Sequence, residues 1–254
     1  MPAEVTGTPF GPRIHAAATY LKTFQALSYE RLEAAFADLF GLRISQSGLM
    51  NMLRRTQGRF ENGRDAAAAS LRQATVVASD ETGEQIEGSN SYHWDLRCDA
   101  AVVHQAAPTG GAVVVRDMLD GHRPEVRCSG RYVARQGHAE AHQTCLAHLA
   151  RDIAYAIEGG EDALPRRLKL WLHKAFGMAR DIETLAASTI VTSRRTRERT
   201  LRDILDTPTS CDLARVVQNT FRRANDQLLT FALWPGPVKP TNNTCERALR
   251  PAVV

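Results

Sequence analysis

The sequence of 254 residues lacks the features that would assign it to a membrane or secreted class. It contains no apolar run of about 18 residues, which excludes a membrane-spanning helix. Its N-terminus has no basic stretch followed by an apolar one, so we expect no signal peptide. Charged residues make up 24% and hydrophobic residues 43% of the chain, which is ordinary for a globular protein.

Cysteine is present but is not patterned for a structural role. The five cysteines are an odd number, widely spaced and without a Cys-x-x-Cys pair. This argues against a disulfide framework or a zinc ribbon and predicts a cytoplasmic protein. The chain also has no glycine-rich phosphate loop and no serine or cysteine nucleophile motif.

Lysine is scarce, whereas arginine is abundant. Only four of the 32 basic residues are lysines, and the net charge is −1 over residues 1–150 and +5 over residues 151–254. Part of the basic excess lies in a charged stretch that begins Ser193-Arg194-Arg195. Guanidinium groups pair well with phosphates, so the excess favours a polyanionic partner. A general preference for arginine over lysine on the surface explains the composition equally well.

Helical patterns in the first 75 residues give way to strand patterns. Ser28 is a predicted N-cap, Gly41 a predicted helix end, and a further helix follows Ser45. This arrangement fits a structural helical hairpin, and it also resembles the helix-turn-helix of DNA-binding proteins. The pattern then predicts three antiparallel strands, a helix, a fourth strand and a helix, at residues 74–79, 91–98, 100–105, 112–119, 125–129 and 138–157.

The second half of the chain returns to helical patterns. Helices are predicted over residues 164–184 and 211–231, three prolines mark residues 234–240 as a loop, and a final helix starts at Cys245. We therefore expect a mixed α/β core. The expected divisions are an N-terminal helical region, the first part of the core, a helical insertion and a final core helix, at residues 1–72, 73–160, 161–238 and 239–254.

Two acidic residues are candidates for chemistry. Asp80 directly follows an apolar run, where a carboxylate of an α/β sheet points towards a ligand cleft and a divalent cation can neutralise it. Glu246 lies in the first turn of the last helix, and Arg247 and Arg250 follow on a face suited to phosphates. Each acid has a plain alternative, because Asp80 fits a hairpin turn and acids are favoured at helix N-termini.

A histidine-rich segment offers metal-ligand side chains without a known metal motif. His138 and His142 are four residues apart, as in zinc-binding helices, yet the His-Glu-x-x-His pattern is missing. Cys145 and His148 fall among apolar positions. A core cysteine with a hydrogen-bonded histidine is the favoured interpretation, and a zinc site is the alternative.

Three motifs, taken in order, resemble those of bacterial transposases of the insertion sequence 66 family. They are Ser79-Asp-Glu-Thr-Gly followed by a Tyr-x-Trp strand, His142-Gln-Thr-Cys-Leu-Ala-His-Leu-Ala-Arg-Asp, and Asn242-Asn-Thr-Cys-Glu-Arg-Ala-Leu-Arg-Pro. The resemblance covers nearly the whole chain. It implies a ribonuclease-H-like core with an Asp-Asp-Glu triad, interrupted by a helical insertion. Asp80 and Glu246 match the first and last acids of that triad.

The resemblance further implies two-metal phosphoryl transfer on DNA. Mg²⁺ or Mn²⁺ would activate the nucleophile and stabilise the leaving oxygen, and carboxylates suit these ions because they prefer hard oxygen ligands. Asp80 and Glu246 would hold the metal. Arginines would contact the transposon ends, namely Arg194, Arg195, Arg247 and Arg250. Self-association of subunits is a further expectation.

The chain departs from the family pattern at the second aspartate. That residue follows the fourth strand in a Ser-Asp-x-Tyr context, whereas this chain reads Cys128-Ser-Gly-Arg-Tyr and has Gly130 at the position. Asp117 and Asp120 precede the strand, so we do not expect either to compensate. We therefore expect weak metal binding and an impaired enzyme, cut short at both ends relative to the family. The alternative is a non-catalytic remnant that binds DNA or pairs with another subunit.

Overall fold

A computed structural model describes residues 9–86, 88–130 and 138–250. Its N-terminal part is helical, as predicted. Helix α1 spans Pro12–Thr19 and continues as a π-helical turn over Tyr20–Phe24, α2 spans Tyr29–Phe40, and α3 spans Gln46–Leu71. Ser28 caps α2 by accepting a hydrogen bond from the Arg31 N–H at 3.2 Å, and Gly41 ends it with a φ of 63°. Leu32, Phe36 and Leu49 are fully buried between these helices.

A five-stranded mixed sheet forms the centre of the fold. Strands β1 (Val76–Ile86), β2 (Ser89–Arg97) and β3 (Val102–Ala107) form the predicted antiparallel meander. After helix α4 (Ala112–Leu119), strands β4 (Val126–Ser129) and β5 (Ala141–Thr144) add to the sheet in parallel with β1. The strand order is β3-β2-β1-β4-β5. The antiparallel strands β2 and β3 therefore lie on one side of β1, and the parallel strands β4 and β5 lie on the other.

The helix predicted over residues 138–157 is wrong over its first eight residues. Residues Ala141–Thr144 form β5, and helix α5 begins only at Leu146 and ends at Glu158. Pairing with β4 outweighs the helical spacing of this segment, since β5 completes its hydrogen bonds with a neighbouring strand. The Cys145 N–H continues that pairing by donating to the Ser129 carbonyl at 2.9 Å.

Helices dominate the second half, as predicted. They are α6 (Ala163–Asp181), α7 (Ala187–Leu205), α8 (Asp212–Ala224) and α9 (Asn243–Leu249), with 3₁₀ turns at Ile182–Thr184, Asn225–Gln227 and Thr230–Ala232. Trp171 lies at the centre of this bundle, where its indole N–H donates to the Arg197 carbonyl at 2.9 Å and its ring meets Phe221 edge-on. None of the helices in the described ranges is long and apolar enough to cross a membrane.

The two faces of β1 contact different parts of the protein. Val76 and Ala78 pack with the core of α5–α8, whereas Val77 packs with Trp94 and Leu96 of β2 beneath α3 and α4. Side chains alternate along a strand, so every second residue shares a face. Asp80 therefore lies on the same face as Ala78, towards α5.

Gln143 connects β5 to the segment that follows α8. Its side chain is 1% exposed, donates to the Leu228 carbonyl at 3.3 Å and accepts from the Phe231 N–H at 2.8 Å. We expect Gln143→Leu to lower the free energy of unfolding by about 2–4 kcal/mol, because it leaves these buried backbone groups without partners. Chemical denaturation measures the change, and Gln105→Leu on the exposed side of β3 is the control. Equal denaturation midpoints for Gln143→Leu and the unmodified chain would contradict the prediction.

Candidate active site

Asp80 lies within β1 and not at its end. The expectation that it directly follows a strand is wrong, because β1 continues to Ile86, and the hairpin-turn alternative is wrong for the same reason. Its side chain is 6% exposed, and its Oδ1 accepts a hydrogen bond from the Glu81 N–H at 3.2 Å. Helix α9 packs against β1 and β2 beside it.

Asp95 is an acidic neighbour of Asp80 that sequence reasoning missed. It lies on β2 directly opposite Asp80, and opposite residues of an antiparallel pair project from the same face. The Asp95 side chain is fully buried. The sequence does contain a signal for this pairing. In a hairpin whose last pair is Ile86 and Ser89, the residue six positions before Ile86 lies opposite the residue six positions after Ser89, and these residues are Asp80 and Asp95.

The Asp95 carboxyl has an unusual electrostatic environment. Burial raises its pKa to about 7; the Cys245 thiol and the Arg97 guanidinium oppose this shift, while the Asp80 carboxylate adds to it. Burial likewise raises the pKa of the Cys245 thiol, and Asp95 and Asp80 raise it further. Cys245 therefore stays protonated and is at most a weak donor to Asp95.

Gly130 directly follows β4, the strand that pairs with β1 on the side away from β2. Strand β4 pairs with β1 in parallel, with Val126 opposite Val76 and Cys128 opposite Ala78. Continuing this register by two residues aligns Gly130 with Asp80, and alternation places both on the α5 face. Gly130 is buried and carries no ligand atom.

Glu246, the last acid of the expected triad, lies in the first turn of α9 and contacts α5. Its Oε1 accepts a hydrogen bond from Arg151 Nη2 at 2.8 Å and lies 3.8 Å from His148 Nε2. The Glu246 side chain is 31% exposed and that of Arg151 is 64% exposed. Glu246 is therefore partly open to solvent while the Arg151 guanidinium of α5 holds it and the His148 imidazole lies nearby.

The cysteine and histidines divide into two groups in the structure. Cys145, His148 and Glu246 bring one ligand atom each to within 4.8 Å of one another, so a zinc site stays open as an alternative. Cys145 is 1% exposed, and its Sγ accepts a hydrogen bond from the Asn242 N–H at 3.2 Å. His142 belongs to β5, where its Nε2 lies 3.2 Å from the Ser129 hydroxyl. The comparison of His138 and His142 with a zinc-binding helix is therefore wrong, because they do not share a helix.

Asn242 fixes where α9 begins. Its Nδ2 donates to the Ser79 carbonyl of β1 at 2.8 Å, and its side chain is almost fully buried. Just before it, the Pro240 carbonyl accepts from the Leu146 N–H at 2.9 Å. These contacts join the start of α9 to both β1 and the start of α5, which brings residues 245 and 246 over the Asp80 strand.

The predicted DNA-binding arginines differ in their surroundings. Arg247 is exposed on α9, and Arg250, the residue that directly follows this helix, is exposed one turn further on. On α7, Arg194 pairs with Glu198 at 3.2 Å, whereas Arg195 is exposed. Arg195 also belongs to an exposed stripe on α7 at helical spacing, with Arg199 and Arg202. That stripe was not predicted, although its spacing is visible in the sequence.

The residues that match the expected triad fit a divalent cation only in part. Asp80 and Glu246 offer carboxylate oxygens, which suit Mg²⁺ and Mn²⁺. Position 130 offers none, because it is glycine. Two-metal sites place the ions roughly 4 Å apart and need carboxylates around both, so the missing side chain removes part of the donor set.

The sheet and its acidic face define a ribonuclease-H-like domain. A meander of three antiparallel strands is followed by two parallel strands on the far side of β1, with helices on both faces. The model of the IS66 transposase family matches residues 7–254, so the chain belongs to this family. A comparison with curated proteins finds no match.

Proposed function

We propose that the chain is a DNA-binding transposase in which two-metal phosphoryl transfer is impaired by Gly130. Membership of the IS66 family supports a transposase-like function. The observation that supports the impairment is the register of β1 and β4, which pairs Ala78 with Cys128. Continued by two residues, this register would align Gly130 with Asp80 on one face of the sheet. A carboxylate at that position would face the same metal as Asp80.

In this proposal Asp80 and Glu246 are the remaining metal ligands. Bound Mg²⁺ or Mn²⁺ would supply Lewis-acid activation of the attacking and leaving oxygens. Arg151 competes with a cation for Glu246, because its Nη2 lies 2.8 Å from Oε1 of that carboxylate. We therefore expect weak metal binding.

The DNA contacts of the proposal come from arginines on two helices. Arg247 and Arg250 would position a phosphate beside Glu246, while Arg194 and Arg195 would contact the transposon ends from α7. The proposal also includes self-association of subunits and a cytoplasmic location, which the five free cysteines favour. The proposal also keeps the four predicted regions of the chain, whose boundaries follow residues 72, 160 and 238.

Salt dependence tests the arginine assignment. Replacing both Arg247 and Arg250 with glutamine is expected to weaken binding to a labelled DNA duplex and to lower the slope of log K against log salt by about one per lost phosphate contact. Fluorescence anisotropy over a salt series measures both. Arg116→Gln is the control, because α4 lies on the opposite side of the sheet. If the double variant and the control bind alike, these arginines do not contact DNA.

A non-catalytic DNA-binding or subunit-pairing remnant is the second candidate. It is favoured by the absence of a side chain at Gly130 and by the Arg151–Glu246 ion pair. For this candidate, DNA binding weakens steeply with salt and is unaffected by Mg²⁺ or by Asp80→Ala. Metal-dependent nicking of a plasmid that carries the transposon ends, lost in Asp80→Ala, would exclude it.

A further inference from the structure

Asp95 is a buried acid whose carboxylate oxygens lack nitrogen and oxygen hydrogen-bond donors among the described residues. Both carboxylate oxygens are inaccessible to solvent, and no nitrogen or oxygen donor of the described residues hydrogen-bonds to either. The polar group against it is the thiol of Cys245, a weak donor. Buried carboxylates in folded proteins are paired with a cation or are fully hydrogen-bonded, so an orphaned one requires an explanation.

The position of Asp95 relative to Asp80 supplies that explanation. The two residues are directly opposed on β1 and β2, and opposed residues hold their Cβ atoms about 4.5–5.5 Å apart on one face. The Asp95 and Asp80 side chains are therefore neighbours on that face. Gly130 directly follows β4, the strand on the other side of β1, so Asp95 and position 130 belong to opposite neighbours of the Asp80 strand.

We propose that Asp80 and Asp95 together bind one divalent cation of the Mg²⁺ or Mn²⁺ class, with Asp95 providing from β2 a carboxylate that position 130 does not provide from β4. Two adjacent carboxylates repel each other unless a cation or a proton lies between them. Hard oxygen donors select Mg²⁺ or Mn²⁺ over softer metals. The inference rests on the proposed function in one respect, the role of Asp80 as a metal ligand.

This pair does not restore the triad of the family. The Asp95 carboxylate comes from β2, on one side of β1 and beneath α9, whereas position 130 follows β4 on the other side of β1. A cation held by Asp80 and Asp95 is therefore displaced away from position 130. Retained metal binding and impaired DNA cleavage are therefore compatible. The inference therefore predicts that the protein binds a cation at Asp80 and Asp95 although its DNA cleavage is impaired.

Mn²⁺ titration of the full chain, followed by electron paramagnetic resonance, tests the inference. We expect Asp95→Asn and Asp80→Asn each to weaken Mn²⁺ affinity by at least about tenfold. Asp117→Asn is the matched control, because Asp117 is an exposed acid of α4 with a side-chain exposure of 63%. It should bind Mn²⁺ as the unmodified chain does. Melting temperatures with and without Mn²⁺ give a second readout, since only variants that bind the ion are stabilised by it.

The outcomes separate this inference from the proposed function. Weaker binding in both Asp80→Asn and Asp95→Asn, with the control unchanged, supports the shared site. Weaker binding in Asp80→Asn alone overturns the role of Asp95 and leaves the proposed metal role of Asp80 intact. Unchanged binding in both variants, or no Mn²⁺ binding by the unmodified chain, overturns the inference, and DNA binding then decides the proposed function independently.

Discussion

Gly130→Asp is expected to raise metal-dependent cleavage of the transposon ends by about 100-fold, which corresponds to about 2.7 kcal/mol of transition-state stabilisation. The register of β4 with β1 ends with Cys128 opposite Ala78. Continued by two residues it would align position 130 with Asp80 on one face, so we expect the new carboxylate to share a cation with Asp80. Nicking of a supercoiled plasmid that carries the transposon ends, measured at saturating Mg²⁺, provides the rate.

Gly130→Asn is the matched control for this gain. Asparagine has nearly the size of aspartate but no charge, so it reproduces the steric effect at a buried position without the ionic ligand. Melting curves should establish that both variants fold. If folded Gly130→Asp cleaves no faster than Gly130→Asn, the absence of a carboxylate at position 130 does not explain the impairment.

Asp95→Asn is expected to stabilise the metal-free protein at alkaline pH and to have much less effect at acidic pH. Asp95 has a pKa of about 7 in the folded protein against an ordinary 3.8, so the folded state holds its proton where the unfolded state has lost it. The free energy of unfolding therefore falls as pH rises from about 4 to about 7. The full difference of about three pKa units corresponds to about 4 kcal/mol.

Urea denaturation in the presence of a chelator tests this prediction at about pH 4 and about pH 8, on either side of the titration. The advantage of Asp95→Asn over the unmodified chain should appear at the higher pH and largely vanish at the lower. Asp117→Asn is again the control, because an exposed carboxyl gives no such difference. Equal advantages at the two pH values would show that the carboxyl of Asp95 does not titrate in this window.

Much of the fold could be predicted because local signals and tertiary packing agree. The Ser28 cap and the Gly41 end define α2 in both the sequence and the structure, and the antiparallel meander and α4 follow their hydrophobic patterns. The acids of the first and last motifs could be named from the family resemblance. The substitution at Gly130 was visible for the same reason.

The errors arise where tertiary contacts override local patterns. Residues 141–144 have helical spacing but pair with β4, and β1 extends beyond its apolar residues because β2 pairs with it as far as Ile86. Asp95 was missed since a polar residue in an alternating strand is normally expected to face solvent. Its burial depends on α9, which packs on β2 from far along the sequence.

From that long separation we expect an order in which the acidic face is completed during folding. Asp80 and Asp95 belong to one hairpin and are 15 residues apart, whereas the Asn242–Ser79 hydrogen bond that seats α9 joins residues 163 apart. Closing the longer loop costs about 2 kcal/mol more in chain entropy, so we expect the hairpin to form before α9 docks. The two carboxylates therefore meet while they are still hydrated. On this expectation the desolvation of Asp95 comes later, when α9 docks over the hairpin.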